Sequence, residues 1–592
     1  MTKTKDKKNK DKKIKDQKSK NPTENKIILE NASQLKTKTK VLEEVFKIIA
    51  KQGVKQVLKE VAKKVAKKKV KEDAVHVFTS KFKKTVKAKE SIPKVNNNYT
   101  LTKTKIISGL QCKKKLWYDF HEPEKEEDSA SFYSGNLFGR KLRELDKSGL
   151  DLSGFSNTKA VEETSKALKE SKCKIIYEAA FIHEGILIRP DVLKKTKNGW
   201  ELWEAKAVKI KNDSPEEIKK VYLQDIAIQS YVITSKINLT SSKLVCIDDK
   251  FIYQGDGNYN HLFKKVDLTE IVTTQEQKTK IKNSIEELKA LAAEKMACPN
   301  IETGDHCKDP YPCPYLSRCM PKLDDDSYKI LPNIKTNALK NYIKDNNVKF
   351  IQEVPLDLLR GPQRIVHQVH KNNEEHLNPE LKNILKNCDQ PFYFMDFETI
   401  QQFVPIINGT TSHEIIPFQW SVHKCEENEN IKIEDNNFFL DFSSNDIERK
   451  FLESLLQALG TKGTIFVHNE STEIKVLERL KKKESCKSLE AEIDLIISRI
   501  KDSLPLAREY FYNSKMKGKY GIKSIIKSIP TDISYEEEGN IGGGRAAQLT
   551  WFKCTDPKIS QSEKEKEKIL LKKYCAKDTF ALHDLIKYWM GS

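Results

Sequence analysis

Apolar residues recur at helical spacing near the start of the chain: Val41, Val45, Ile48, Ile49, Val57, Leu58, Val61 and Val65, with lysines between them. This pattern predicts a basic amphipathic helix over 41–70, weakened at Gly53. Beyond residue 100 the periodicity changes. Lys174–Ile182, Gly185–Lys195 and Trp200–Ile210 read as strands, the last two joined by a turn at Thr196–Gly199. Helical patterns follow at 215–235 and 276–296, and residues 325–388 read as a helical connector. A second α/β pattern begins near Pro391. Phe392–Glu398 is a short apolar strand, Thr464–Asn469 another with a helix after it, and Ile569–Trp589 a closing helix.

With 592 residues the chain is too long for one domain, and three or four are expected. The patterns divide it into a Lys-rich arm (1–99), a first α/β unit (100–322), the helical connector (323–388) and a second α/β unit (389–592). The charge is uneven. Residues 1–100 hold 30 lysines, no arginine and 11 acids, which is +19 of the total +21. Residues 1–40 are expected to be largely disordered. Nucleic-acid contacts in the body must come from local patches, because its own balance is near neutral. No apolar run reaches the roughly 18 residues of a membrane span, and no secretory signal is evident. The expected location is therefore cytoplasmic, with reduced thiols, and clustered cysteines then favour metal over disulfides.

Glu204 and Lys206 alternate along one strand and share a face, and Asp191 lies on the preceding strand. Two carboxylates and the Ala205 carbonyl suit a hard divalent cation such as Mg²⁺ or Mn²⁺. Such an ion activates water and stabilises charge on a phosphate, and Lys206 is placed to position the water or the developing anion. Glu178 is a fourth candidate. A surface ion pair on an ordinary hairpin is the plainer reading. Cys307, Cys313 and Cys319, with five residues between successive ones, and a fourth thiol at the distant Cys112 or the nearer Cys298, suit a four-sulfur centre of zinc or [4Fe–4S] type.

In the second α/β unit Asp396 and Glu398 alternate at the end of a strand. Tyr574 and Asp578 stand one helical turn apart.

These residues carry several resemblances. Asp191 with Glu204-Ala205-Lys206 resembles the PD-(D/E)XK nuclease core of the RecB-like type, and 221–233 resembles that family's Gln/Tyr helix, which implies a role for Gln229. Ser108–Phe120 resembles the opening helix of iron–sulfur RecB-like nucleases, which implies Cys112 as the partner of Cys307, Cys313 and Cys319 in a [4Fe–4S] cluster, with zinc the alternative. Asp396, Glu398, Tyr574 and Asp578 resemble the DnaQ-like, RNase H-like 3′–5′ exonucleases of the DEDD class. That resemblance implies Glu473 as the third acid, one methylene longer than the usual Asp, and gives Tyr574 the task of orienting water or phosphate. Asp502 is expected to be structural. Residues 100–592 together resemble the bacterial family called domain of unknown function 2779, through Gly304–Cys319, Phe394–Ile400, Pro417–His423, Asn513–Ile525 and Tyr574–Thr579.

The fold implied is an α/β multidomain protein: a restriction-endonuclease-like core with an Fe–S cluster, a helical connector and an RNase H-like exonuclease domain. The activity implied is metal-dependent hydrolysis of DNA at two sites, in repair or defence. The alternatives are an adaptor that binds nucleic acid without cutting it, and an RNA-processing exonuclease.

Overall fold

The computed structural model describes residues 101–591 except 125–129, 211–214, 293–295, 321–324, 428, 444–445, 536–541 and 557. All belong to one compact unit that begins at Asn96. The helix expected over 41–70 lies outside the described residues.

Two short helices open the described chain, α1 (Lys103–Gln111) and α2 (Lys113–His121). The Thr102 hydroxyl caps α1 by accepting from the Lys105 amide. Cys112 separates the helices with an extended backbone. After α3 (Ala130–Glu144) comes a six-stranded sheet in sequential order: β1 (Leu150–Asp151), β2 (Ile175–Tyr177), β3 (Val192–Lys195), β4 (Trp200–Lys209), β5 (Leu239–Ile247) and β6 (Phe263–Asp267). Pairs β1/β2 and β4/β5 are parallel and the others antiparallel. The parallel β4/β5 pair needs a crossover, which α4 (Lys220–Thr234) supplies.

The hairpin at 196–199 is present, closed by the Thr196 amide on the Gly199 carbonyl (2.8 Å). The two strands predicted ahead of β4 are each broken. Lys174–Ile182 stops at Glu178, whose φ of +53° is left-handed. Gly185–Lys195 breaks at Arg189-Pro190, where proline has no N–H for the ladder. The displaced pieces, Phe181–His183 and Ile186–Ile188, join Leu101–Thr102 in a separate three-stranded sheet.

The second half is built on β7 (Phe392–Gln402), β8 (Glu414–Cys425), β9 (Asn437–Leu440), β10 (Thr464–Val467) and β11 (Ile500–Asp502), in the order β9-β8-β7-β10-β11. β7, β8 and β9 are antiparallel; β10 and β11 run parallel to β7. Period-2 alternation splits β7 between two cores. Phe392 and Phe394 pack with Phe466 and Trp589, whereas Tyr393, Met395 and Phe397 pack with Phe451 and Leu455. Helices α5 (Ser471–Lys481), α6 (Gly544–Thr555) and α7 (Gln561–Met590) complete this half.

The segment read as a connector is part of this core. Leu339, Val366, Leu381 and Leu385 are buried with Phe394 and Trp589. His376–Leu377 pairs with Phe511–Tyr512. A boundary at 389 therefore cuts through one hydrophobic cluster.

The two halves are also joined directly. The Tyr253 amide donates to the Thr410 carbonyl (3.0 Å) and the Gly409 amide to the Tyr253 carbonyl (2.8 Å). The Tyr259 hydroxyl donates to the Pro405 carbonyl (3.1 Å), and Tyr133 stacks on Phe552 with ring centres 5.1 Å apart. The result is a mixed α/β protein with several sheets. No described helix is long and apolar enough to cross a membrane.

Candidate functional site

The residues predicted around β4 do meet, in a buried network. Glu204 is 2% exposed. Its Oε1 accepts from Lys206 Nζ (2.6 Å) and Lys103 Nζ (2.7 Å), and its Oε2 from Gln229 Nε2 (2.7 Å). Gln229 is fixed by Asp225, one turn earlier on α4, at 2.9 Å. Asp225 also accepts from Lys206 (2.8 Å) and lies 3.1 Å from Lys103. Burial pulls the Glu204 carboxyl upward, but the two ammonium groups outweigh it and hold the group ionised. The ion pair is therefore internal, unlike the surface pair of the plainer reading.

Asp191 and Glu178 flank this network at the two strand breaks. Asp191 Oδ2 accepts from the Ala205 amide (2.7 Å), so the amide of Ala205 meets Asp191, where the sequence reading used its carbonyl as a metal ligand. Burial and then the nearby Glu204 charge push Asp191 well above the usual carboxylate range. Glu178 is raised by burial, with Arg189 opposing. Its left-handed backbone is a strained conformation of the kind concentrated at functional sites. Sequence reasoning missed Lys103 and Asp225. Asp225 was detectable four residues before Gln229, on the same helix face. Lys103 carries no local signal in so lysine-rich a chain.

Cys112, Cys307, Cys313 and Cys319 line one small pocket together with Lys115 and Tyr118. Cys298 is exposed and stands outside that lining. Protein contacts already tie the flanking segments together. Gln111 Nε2 donates to the His306 (2.8 Å) and Tyr311 (2.6 Å) carbonyls, the Tyr315 hydroxyl donates to Asp119 Oδ1 (2.7 Å), and Tyr118 stacks on Tyr315 at 4.9 Å. Among the described residues no three of these sulfurs fall within 4.8 Å of one another. Thiolates around one zinc ion at about 2.3 Å would lie roughly 3.8 Å apart. A cubane takes each sulfur on a separate iron and so spreads them wider.

The second site is tighter. One carboxylate oxygen from each of Asp396, Glu398 and Asp578 falls in a group spanning no more than 4.8 Å. Asp396 and Glu398 continue the Phe392, Phe394 face of β7, just before a register shift between Glu398 and Thr399. Asp578 comes from α7, with Tyr574 one turn earlier facing the same three acids. Burial, then mutual repulsion, raises Asp396 and Glu398, and burial raises Asp578. A divalent cation would relieve that repulsion.

Glu473, in the first turn of α5, adjoins the three acids without joining their 4.8 Å group. It is 5% exposed, and burial pushes its carboxyl up to about 7. Its Oε2 is buried with no hydrogen-bond partner among the described residues. An orphaned carboxylate oxygen beside three convergent acids is what a bound cation would satisfy. Asp502 is structural as expected: Oδ1 accepts from the Asn469 (2.8 Å) and Leu504 (2.9 Å) amides.

Two neighbours escaped the sequence reading. The Tyr535 hydroxyl donates to Asp578 Oδ1 (2.7 Å). Lys523 Nζ sits 4.8 Å from both the Tyr535 and Tyr574 ring centres, and its charge favours ionised Glu398 and Asp578. Gly544, at the start of α6, is so close that a Cβ there would lie 3.5 Å from Glu398 Oε2.

The class these features define is a mixed α/β protein with a buried acid–lysine network on one sheet and three convergent carboxylates at another. Residues 393–521 match the family described as Domain of unknown function (DUF2779). The match includes Asp396, Glu398, Glu473 and Asp502 and ends before Tyr574 and Asp578. No curated protein matches the chain.

Proposed function

We propose that the protein is a metal-dependent nuclease that hydrolyses phosphodiester bonds of DNA at two sites. The observation that carries this reading is the convergence of Asp396, Glu398 and Asp578 within 4.8 Å, under Tyr574 and beside the unpartnered Glu473 Oε2. The strand order β9-β8-β7-β10-β11 supports an RNase H-like exonuclease domain. The β3–β4 hairpin and the α4 crossover, with Asp191, Glu204 and Lys206 on them, support a PD-(D/E)XK core.

Asp396, Glu398 and Asp578 would hold Mg²⁺ or Mn²⁺, with Glu473 as the adjoining acid; Asp191 and Glu204 would do so at the first site. A bound ion supplies water activation and neutralises phosphate charge. The Tyr574 hydroxyl orients the attacking water or the scissile phosphate, and Tyr535 fixes Asp578 through its hydrogen bond. Lys523 adds positive charge where the phosphate approaches. At the first site Lys206 stabilises the developing anion and Gln229 holds Glu204 in place. The pocket of Cys112, Cys307, Cys313 and Cys319 is read as a [4Fe–4S] site in preference to zinc, because of the resemblance of Ser108–Phe120 to the opening helix of iron–sulfur nucleases.

The test uses the full chain with Mg²⁺ or Mn²⁺ on end-labelled single-stranded DNA and RNA, comparing the native protein with Glu204→Gln and Asp396→Asn. Each substitution is expected to remove one class of products. Unchanged cleavage in both variants sinks the two-site reading. A native chain that binds DNA and releases no nucleotides makes it an adaptor, and cleavage of RNA alone makes it an RNA-processing enzyme.

A further inference from the structure

The chain carries 95 lysines and only 11 arginines. Three of the 11, Arg140, Arg143 and Arg189, line one cleft of about 540 Å³ that also takes in Glu178 and Asp191, with no lysine in its wall. Tyr133, Asn136, Arg140 and Arg143 are spaced three, four and three apart, so one face of α3 forms a side of the cleft. Gly135 and Gly139 lie on that side too, and a Cβ at Gly135 would meet nothing within 4 Å. These glycines widen the opening in front of the acids.

The three guanidinium groups are engaged differently. Arg189 is fixed: Nη2 donates to the Leu152 carbonyl (2.7 Å), Nη1 to the Phe155 carbonyl (3.1 Å), and Nε lies 3.5 Å from Glu178. Arg143 lies 3.4 Å from Asp151. Arg140 is exposed and has no hydrogen bond or ion pair among the described residues. The second half of the molecule also contributes to the lining, through Asp556, which caps α6. The cleft thus has two arginines on α3, with Asp556 in the lining beside Glu178 and Asp191. A planar guanidinium free to make paired hydrogen bonds fits a phosphodiester better than a lysine does.

We propose that this cleft is a phosphate-binding subsite for single-stranded DNA, with Arg140 as the main phosphate contact and Asp556 limiting how tightly the strand is held. The choice of ligand rests on the nuclease reading of Asp191 and Glu204. Arg140 acts by binding the strand in the cleft that Asp191 also lines.

Binding is measured without cleavage, by fluorescence anisotropy of a labelled oligothymidylate with the full chain in EDTA across a salt series. Arg140→Ala should weaken binding about three- to tenfold and lower the salt slope by about one. Asp556→Asn should tighten binding two- to threefold, by removing a repelling charge. The opposite signs separate a charge effect from misfolding, because both positions are at the surface of the cleft. Affinity and slope unchanged in both variants overturn the subsite. Inorganic phosphate is added as a competitor. Displacement of the strand only at millimolar phosphate supports the assignment to DNA, and displacement at micromolar phosphate reassigns the cleft to the free anion and overturns it. Arginine-dependent binding by a native chain that cuts nothing supports the subsite while removing the nuclease reading.

Discussion

The Lys103 ammonium lies 2.7 Å from Glu204 Oε1, although 101 residues separate them. Lys103 sits at the first position of α1, so the opening helix closes the floor of the first site. Lys103→Met removes one of three donors to a buried carboxylate while keeping an unbranched side chain only one atom shorter. Glu204 retains Lys206 and Gln229, so the expected stability loss is about 1–3 kcal/mol, short of what an isolated buried charge would cost. Urea unfolding checks this. Products of the first site should fall at least tenfold, while those of the Asp396 site persist.

The second site predicts a pH dependence that metal reverses. Burial holds Glu473 up at about 7, from an ordinary value of 4.5, and Asp396, Glu398 and Asp578 are also raised. The folded chain therefore binds these protons more tightly than the unfolded chain. The resulting stability is full below about pH 4 and is lost as the pH rises through about 7. The melting temperature of the metal-free protein should fall between pH 5 and 8, and Mn²⁺ should restore it at pH 8. Asp396→Asn with Glu398→Gln should flatten both responses. A metal-free melting temperature that rises over this range contradicts the acid cluster.

For the cysteine pocket the readouts are iron content and visible absorption after anaerobic purification. Close to four irons per chain and a brown protein are expected. Serine at Cys112, Cys307, Cys313 or Cys319 should reduce both, and serine at Cys298 should leave them unchanged. A colourless protein with one zinc per chain overturns the cluster assignment.

Gly518 makes a purely structural prediction. Its φ is +73°, and a Cβ would overlap the Ile330 carbonyl oxygen in the segment first read as a connector. Gly518→Ala should cost about 1–3 kcal/mol for the backbone conformation, and more for the overlap. The urea midpoint should shift accordingly. A neutral result would mean that this contact is not made.

Much of the site was legible because its geometry is local. Asp396 and Glu398, Glu204 and Lys206, and Tyr574 and Asp578 are pairs set by the period of a strand or a helix turn. Tyr535 and Lys523 reach the second site from outside those periods, and Lys103 reaches the first from a helix 101 positions away in sequence. The strand breaks at Glu178 and Arg189-Pro190 fall inside the runs Lys174–Ile182 and Gly185–Lys195, whose apolar residues on either side of each break read as one continuous strand. The packing of the helices in 323–388 was not legible because amphipathic helices give no sign of which core they cover; that core is the face shared by Phe394 and Trp589.

Helix α6 has 12 residues, about 18 Å from end to end. Gly544 at one end lies beside Glu398, and Asp556 just past the other lines the cleft of Asp191. Neither centre is therefore the private property of the half that carries its acids. Dividing the polypeptide ahead of this helix would remove a wall from the first centre. Dissection in the laboratory has to keep this helix with both acid clusters, because each takes one of its ends as a neighbour.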